Sequence, residues 1–267
     1  MRLKTRFAGP LKGRQRPPSD KSISHRALIL GALADGRTEV AGLLESEDVM
    51  ATARAARQFG ASVEQHGPGA WSVTGAGGFK QPGDTIDCGN SGTSSRLLIG
   101  AAAGYPLRAR FAGDTSLRKR PMNRIITPLT QMGARFDAPK SMLPLIVHGG
   151  RLKGITYRSP VSSAQVKSAV LLAGIAAEGE TVVIEPERSR DHTERMLGVF
   201  GADIDTVEVD GRLHPRVRAS KLTAAPIYVP ADPSSAAFPA AAALILAKSE
   251  IRLTDVLVNP LRLGLFE

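Results

Sequence analysis

This sequence of 267 residues has little cysteine, few aromatic residues and no long apolar run. Its single cysteine, Cys88, excludes an internal disulfide and a metal site built from several thiolates. The five histidines show no metal-ligand spacing, so we predict that no metal is bound. No apolar stretch reaches the length that spans a bilayer, and we predict no membrane association.

Positive charge is in excess, because 35 Lys and Arg residues against 25 Asp and Glu residues give a formal net charge of +10. Such an excess is typical of proteins that bind nucleic acids or membrane surfaces. Here the basic residues are dispersed, and only 4% of residues are aromatic, so platforms for stacking bases are scarce. The alternative use of scattered Arg and Lys is a site for small, multiply charged anions, and no nucleic-acid partner is expected.

A repeat is the most informative feature of the chain. A Phe or Met followed by Gly-Ala ends a helical stretch three times, about 70 residues apart, at positions 59–61, 132–134 and 200–202. Each repeat runs from a polar cluster through an Ala/Leu-rich helix, a strand, a second helix and two closing strands. This order predicts an α/β fold of βαβαββ units with helices inside and strands outside. The rival fold, a doubly wound parallel sheet, is disfavoured by the paired closing strands.

Three complete units predict one domain over residues 20–223. A fourth unit opens at 232–235 with a predicted helix over 236–247 and a strand over 250–257, but no fourth Gly-Ala follows. Segments 1–19 and 226–267 are therefore predicted to be incomplete parts of a second domain, reached by a crossing segment at 225–230. We expect this chain to be the amino-terminal part of a longer protein.

The first helix of each unit opens on hydroxyl or small polar residues, at 20–22, 90–94 and 162–163. Plain N-capping explains any one such opening. Three related units would bring the openings together, and helix N-termini carry free N–H groups and positive dipole ends. The pattern therefore indicates an anion site, where Gly92 would let a ligand approach the backbone closely.

Basic residues accompany these openings. Lys21 lies at a helix tip, and Arg26 lies one turn after Ser22 on the same face. Arg120 precedes Pro121, which holds it in an extended conformation. Arg190 precedes another predicted helix, where Asp191 and Glu194 have the form of a capping box. Solvated surface charge is the alternative interpretation of each cation.

Taken together, these segments resemble the EPSP synthases, in order and along the whole chain. The segments that carry the resemblance are Asp-Lys-Ser-Ile-Ser-His-Arg at 20–26, Gly-Asn-Ser-Gly-Thr at 89–93, Arg-Lys-Arg-Pro-Met at 118–122, Ser-Ala-Gln-Val-Lys-Ser-Ala at 163–169 and Arg-Asp-His-Thr-Glu at 190–194. The related UDP-N-acetylglucosamine enolpyruvyl transferases have a Lys-Asn opening and a loop cysteine, and neither is present here.

The resemblance implies an inside-out α/β barrel domain and a transferase of the shikimate pathway, which leads to chorismate and the aromatic amino acids. The enolpyruvyl group of phosphoenolpyruvate would pass to the 5-hydroxyl of shikimate 3-phosphate, with release of phosphate and without a cofactor. It also implies a cytoplasmic glyphosate target that is a monomer when full-length. By position, the implied substrate-binding residues are Lys21, Ser22, Arg26, Asn90, Gly92, Thr93, Arg120, Ser163, Ala164, Gln165 and Arg190.

The resemblance also implies that the catalytic acid and base belong to a part of the family beyond this chain. Within the chain we predict no catalytic residue apart from an assisting role for Lys21, and neither Asp232 nor Glu187 is assigned as acid or base. We therefore expect the chain alone to be inactive. The alternative function is a catalytically inactive anion-binding domain.

Overall fold

The computed structural model describes residues 9–266, so residues 1–8 of the predicted second-domain segment 1–19 lie outside the described part. Strand β1 (Lys12–Gln15) precedes the first unit. The elements of the three units are listed next in chain order. The first unit contains α1 (Lys21–Leu33), β2 (Asp35–Ala41), α2 (Glu47–Gln58), β3 (Ser62–Gly67) and β4 (Ala70–Ala76). The second contains β5 (Ile86–Asp87), α3 (Gly92–Ala103), β6 (Arg108–Ala112), α4 (Asn123–Gln131), β7 (Arg135–Asp137) and β8 (Leu145–His148).

The third unit and the segment after it complete the described chain. The third unit contains β9 (Leu152–Lys153), β10 (Thr156–Arg158), α5 (Ala164–Gly174), β11 (Ala177–Glu178), β12 (Glu180–Ile184), α6 (His192–Val199), β13 (Ile204–Val209) and β14 (Arg212–Arg218). The following segment contains β15 (Ile227–Tyr228), α7 (Pro233–Ile245) and β16 (Glu250–Leu253). The predicted helix over 236–247 therefore begins and ends earlier, and the strand predicted over 250–257 ends at Leu253.

The three units build four-stranded sheets of the same topology. Their strand orders are β15-β2-β4-β3, β5-β6-β8-β7 and β10-β12-β14-β13. In each sheet the first pair is parallel and the other two pairs are antiparallel. The shared pairing confirms the predicted mixed sheets and excludes a doubly wound parallel sheet.

The outer strand of the first sheet, β15, comes from the segment after the third unit. In β15, Ile227 and Tyr228 pair with Val40 and Ala41 of β2. The crossing segment predicted at 225–230 thus also completes the first sheet. Strand β1 pairs in parallel with β16, which brings the two predicted second-domain segments together. The division of the chain at residues 20 and 223 stays a prediction.

The Gly-Ala repeat is a helix-ending motif. Gly60, Gly133 and Gly201 follow α2, α4 and α6 with φ of 95°, 109° and 79°, a region that glycine adopts without steric cost. Each following alanine donates its N–H to a carbonyl five residues earlier, at 3.1 Å for Ala61, 3.0 Å for Ala134 and 2.9 Å for Ala202. This bond defines the Schellman motif, so a local capping requirement accounts for the repeat in the sequence.

The core lies around the first helix of each unit. Helices α1, α3 and α5 are buried along most of their length and pack on one another inside the three sheets. Small side chains allow α3 and α5 to approach closely, because a Cβ at Gly100 would lie 2.6 Å from the Cα of Ala169. Helices inside and strands outside confirm the predicted fold class.

We expect Gly100→Ala to destabilise the protein by about 1–3 kcal/mol, because the added methyl group must push apart two helix backbones. The free energy of unfolding in urea measures this effect. Gly198→Ala is the matched control, since the nearest heavy atom to its Cβ would be 3.9 Å away on Ile204. The control should be neutral or stabilising, because alanine favours a helix. Equal stability of the two variants would contradict the close approach.

Helix α7 is largely uncovered. It buries only Pro233 and Ala236, whereas Phe238, Leu244 and Ile245 are 80%, 88% and 81% exposed. Within residues 9–266, no helix has the length and apolar character needed to cross a membrane.

Candidate functional site

The site is built where helices α1, α3 and α5 begin. Asp20, Ser91 and Ser163 cap these helices by accepting N–H bonds from Ile23, Ser94 and Val166 at 2.8, 3.1 and 3.4 Å. The capped ends present unpaired N–H groups and the positive ends of helix dipoles. Plain N-capping, the alternative interpretation, is therefore correct for each helix taken singly. Whether the three helix starts also form an anion site depends on the contacts between them.

Side-chain contacts connect these helix ends. Gln165, in the first turn of α5, donates to the Thr93 hydroxyl of α3 at 3.0 Å. Its amide oxygen accepts a bond from Arg96 Nη1 at 2.9 Å. Arg190, just before α6, lies 3.4 Å from the Ser22 hydroxyl of α1. The predicted residues Ser22, Thr93, Gln165 and Arg190 therefore lie in contacting pairs, although they come from three different units.

Guanidinium groups surround Gly92. Arg120 donates to the side-chain oxygen of Asn90 at 2.7 Å, and its extended backbone before Pro121 agrees with the prediction. A Cβ on Gly92 would lie 3.2 Å from Arg120 Nη1 and 2.7 Å from Arg96 Nη1. Burial lowers the pKa of Arg96, and the neighbouring cations Arg120 and Arg124 lower it further. Cations packed this closely create a strong positive potential beside the first turn of α3.

Arg96 was not among the predicted binding residues, and a signal for it was present in the sequence. It lies four residues after Gly92 on the same helix face, as Arg26 does after Ser22. Arg262 is a further cation near Arg190. It donates to Asp232 at 2.9 Å and to Ser234 at 2.8 Å, in a 3-10 turn at Pro260–Arg262. Nothing in its local sequence indicates this position.

Arg190 lies in a mixed electrostatic environment. Burial lowers the pKa of its guanidinium, Arg262 lowers it further, and Asp20 and Asp232 oppose the change. Burial raises the pKa of Asp20, and its Oδ2 atom is buried without a hydrogen-bond partner among the described residues. A bound anion would offset the repulsion between Arg262 and Arg190 that lowers the pKa of Arg190.

Arg26 differs from the other predicted ligands because the protein already occupies its guanidinium. It is 4% exposed and donates to Thr193 Oγ1 and Ser168 Oγ at 2.6 Å each, and to the Ser22 carbonyl at 2.9 Å. Burial lowers its pKa to about 10, and the nearby Arg190 contributes to the change. In this arrangement Arg26 ties α1 to α5 and α6, and its role as a ligand stays a prediction.

Lys21 is accessible at the tip of α1. Its Nζ forms an ion pair with Asp48 at 3.0 Å, and its side chain is 49% exposed. An exposed pair of this kind contributes little to stability, so Lys21 can exchange Asp48 for an anionic ligand at low cost. Of the remaining predicted residues, Ser163 is half-buried, Asn90 is exposed, and Gly92 and Ala164 are buried.

The hydrogen bonds of the capping box predicted before α6 do not form. Asp191 occupies the N-cap position without a side-chain cap bond, and instead binds Asn259 at 2.6 Å and Arg195 at 2.8 Å. Glu194 pairs with the buried Lys167 at 2.7 Å. Tertiary partners therefore replace the local cap, and Asp191 anchors the segment around Asn259 to the start of α6.

This fold and site define a class of α/β protein that has three equivalent units and a cationic site where their central helices begin. Residues 6–267 match the family model described as EPSP synthase (3-phosphoshikimate 1-carboxyvinyltransferase). The chain belongs to this family.

Individual relatives carry the same name. A 3-phosphoshikimate 1-carboxyvinyltransferase of Phenylobacterium zucineum is 58% identical over 99% of this chain and 59% of its own length. One of Caulobacter vibrioides is 54% identical over 99% of this chain and 61% of its own length. A solved EPSP synthase from Acinetobacter baumannii matches with a TM-score of 0.86 and 46% identity, covering 94% of this chain and 57% of that one. The chain thus spans about three fifths of the length of the relatives it matches.

Proposed function

We propose that this chain supplies the shikimate 3-phosphate side of an enolpyruvyl transferase site, together with part of the phosphoenolpyruvate site. One observation carries the proposal. Arg96 and Arg120 lie beside the start of α3 and Arg190 lies beside the start of α1, and none of the three forms an ion pair with a carboxylate of residues 9–266. A site rich in unneutralised guanidinium groups and helix N-termini fits ligands that carry phosphate and carboxylate groups.

The two substrates divide between two parts of the site. We assign shikimate 3-phosphate to the starts of α1 and α5 and to the loop before α6, through Lys21, Ser22, Arg26, Ser163, Ala164, Gln165 and Arg190. We assign phosphoenolpyruvate to the start of α3, through Asn90, Gly92, Thr93 and Arg120, with Lys21 between the two. Arg96 joins the second group because its Nη1 lies beside Gly92, and its bond of 2.9 Å to Gln165 connects it to the first group.

The proposed reaction joins the 5-hydroxyl oxygen of shikimate 3-phosphate to the enolpyruvyl carbon that carries phosphate, and phosphate leaves. A base must accept the hydroxyl proton and an acid must protonate the methylene carbon during the addition, and the resulting methyl group must then lose a proton to re-form the double bond as phosphate leaves. We assign neither role within this chain. Two carboxylates close to the site are already paired, Asp48 with Lys21 and Asp232 with Arg262. The contribution of this chain is to bind and orient the two anions.

Isothermal titration of the chain with shikimate 3-phosphate tests the proposal, with shikimate as the matched ligand that lacks phosphate. We expect shikimate 3-phosphate to bind at least about tenfold more tightly, since contacts to a charged group are worth about 1.5–3 kcal/mol. Binding should weaken as salt is added. Equal affinity for the two ligands, or no binding of either, would overturn the proposal.

Phosphate release with both substrates present separates a transferase from an inactive anion-binding domain, since both would bind shikimate 3-phosphate. Filter binding to DNA at two salt concentrations tests the nucleic-acid alternative, because binding driven by phosphate contacts falls steeply with salt. The family resemblance further supports a cytoplasmic location and a monomeric full-length protein. Sedimentation of the full-length protein would test the second of these expectations.

We predict that Gly92→Ala, in an enzyme of the family's full length, raises the inhibition constant of glyphosate about tenfold more than the Michaelis constant of phosphoenolpyruvate. The methyl group would lie 2.7 Å from Arg96 Nη1 and 3.2 Å from Arg120 Nη1. Both guanidinium groups would have to move, and the methyl group would narrow the proposed phosphoenolpyruvate site. A longer ligand at that site should suffer more than the smaller substrate. Steady-state kinetics measures both constants.

Gly83→Ala is the matched control, because no heavy atom lies within 4 Å of its added Cβ. It should leave both constants unchanged. An equal rise of the two constants in Gly92→Ala would argue against selective steric exclusion beside Gly92.

A further inference from the structure

Two loops of the third unit carry the residues assigned to shikimate 3-phosphate. The first loop joins β10 to α5 and ends at Ser163, the N-cap of α5. The second joins β12 to α6 and contains Arg190. Neither loop belongs to a sheet or a helix, so the distance between the start of α5 and the Arg190 guanidinium depends on contacts between the loops.

Glu185, directly after β12, makes those contacts. Its Oε1 accepts the backbone N–H of Ser163 at 2.8 Å. Its Oε2 accepts the hydroxyl of Ser189 at 2.8 Å and the backbone N–H of Ser189 at 3.3 Å. Ser189 directly precedes Arg190. One carboxylate therefore holds one loop with each oxygen.

The Glu185 carboxylate is buried, and a lysine fixes it in place. The side chains of Glu185 and Lys167 are 5% and 4% exposed, and their charged atoms lie 3.0 Å apart. Lys167 Nζ also binds Glu194 at 2.7 Å and the Ser189 carbonyl at 3.1 Å. A buried carboxylate with a cation and three donors has one favoured orientation, because any other would leave charge unpaired in a low dielectric.

A second connection between the loops supports the first. The Ser162 hydroxyl donates to the Glu187 carbonyl at 2.7 Å and accepts the Glu187 N–H at 2.9 Å. The Ser162 pair is exposed to water, whereas Glu185 is buried. The stronger restraint on the loops is therefore the buried one.

We infer that Glu185 is a positioning residue of the anion site, which fixes the start of α5 and Arg190 at the separation that a phosphate group requires. This inference rests on the proposed function for its ligand and on the contacts of Glu185 for its mechanism. Glu185 itself does not touch the substrate, since both of its oxygens are occupied by the loops.

Two variants at this position separate its two contacts. Glu185→Gln keeps one oxygen, which can accept the Ser163 N–H, but it turns an NH2 group toward the donors of Ser189. Glu185→Ala removes both acceptors. Amide hydrogen exchange should rise for Ser189 and Arg190 in Glu185→Gln, and for Ser163 as well in Glu185→Ala. Affinity for shikimate 3-phosphate should fall about tenfold and about a hundredfold, respectively. Affinity for shikimate should change little.

Glu180→Gln is the matched control, because Glu180 begins the strand that Glu185 follows and, among the described residues, forms exposed ion pairs with Arg218 at 2.8 Å and Arg216 at 3.5 Å. It should change neither exchange in the two loops nor affinity. Unchanged loop exchange in both Glu185 variants overturns the inference. So does a loss of affinity that is equal for shikimate and shikimate 3-phosphate, which would indicate only general destabilisation. Wild-type chain that binds neither ligand overturns the proposed function, and loop exchange then decides on Glu185 alone.

Discussion

Arg190→Ala should weaken the binding of shikimate 3-phosphate, the ligand proposed for this site, about 10- to 100-fold. A contact between a guanidinium and a phosphate is worth about 1.5–3 kcal/mol, and each 1.4 kcal/mol is about tenfold in affinity. Arg190 is half-buried, and within residues 9–266 its side chain forms a single hydrogen bond, a long one of 3.4 Å to Ser22, so we expect its removal to disturb the fold little. Isothermal titration measures the change.

Arg195→Ala is the matched control for this experiment. Arg195 lies on α6, pairs with Asp191 at 2.8 Å and has a side chain that is 64% exposed. It carries the same charge on the helix that follows Arg190, but its charge is already paired with Asp191, so affinity should change little. If the two variants lose affinity equally, the effect of Arg190 is one of general charge, and its assignment as a phosphate ligand is wrong.

The repeating fold could be predicted from the sequence because its signals are local. Each Gly-Ala pair ends a helix through a single backbone turn, in which Gly60, Gly133 and Gly201 all adopt positive φ. The capping residues Asp20, Ser91 and Ser163 are also predicted directly from the local sequence, because their side chains cap the helices that follow them. The order of elements in each unit follows from signals of this kind, and only their bounds shift by a few residues.

The parts that could not be predicted depend on contacts between distant positions. The guanidinium of Arg26 looks available in the sequence, yet it is occupied by Thr193 and Ser168, which lie 167 and 142 residues further along the chain. Strand β15 pairs with β2 across almost 190 residues, a pairing that no periodicity indicates. The role of Glu185 could not be predicted for the same reason, because its partners Ser163, Lys167 and Ser189 come together only in the folded protein.

The stability of the protein should fall by about 4 kcal/mol between pH 7.5 and pH 5.0 through two buried histidines, at about 1.4 kcal/mol per pH unit for each one. Burial lowers the pKa of His25 from 6.5 to about 3, and its Nε2 has no partner among the described residues. Burial and the cations Arg26, Arg190 and Arg262 likewise lower the pKa of His192 to about 3. Urea unfolding at each pH measures the change.

The sign follows from where each state binds its proton. Below pH 6.5 the unfolded chain protonates both imidazoles, whereas the folded protein keeps them neutral down to about pH 3. The stabilisation is therefore complete above pH 6.5 and is lost progressively as the pH falls toward 3. Burial raises the pKa of Asp20 and Glu194, which acts in the opposite direction, so single variants are needed to isolate the histidines.

In His25→Gln and His192→Gln the loss between pH 7.5 and pH 5.0 should shrink by about 2 kcal/mol each, because glutamine does not titrate. His66→Gln, at an exposed position of β3, is the matched control for the substitution itself. A wild-type slope that persists in both buried-site variants would show that carboxylates, not His25 and His192, govern acid unfolding. A slope that shrinks only in His192→Gln would place the effect at the cationic site, where three arginines already oppose a fourth positive charge.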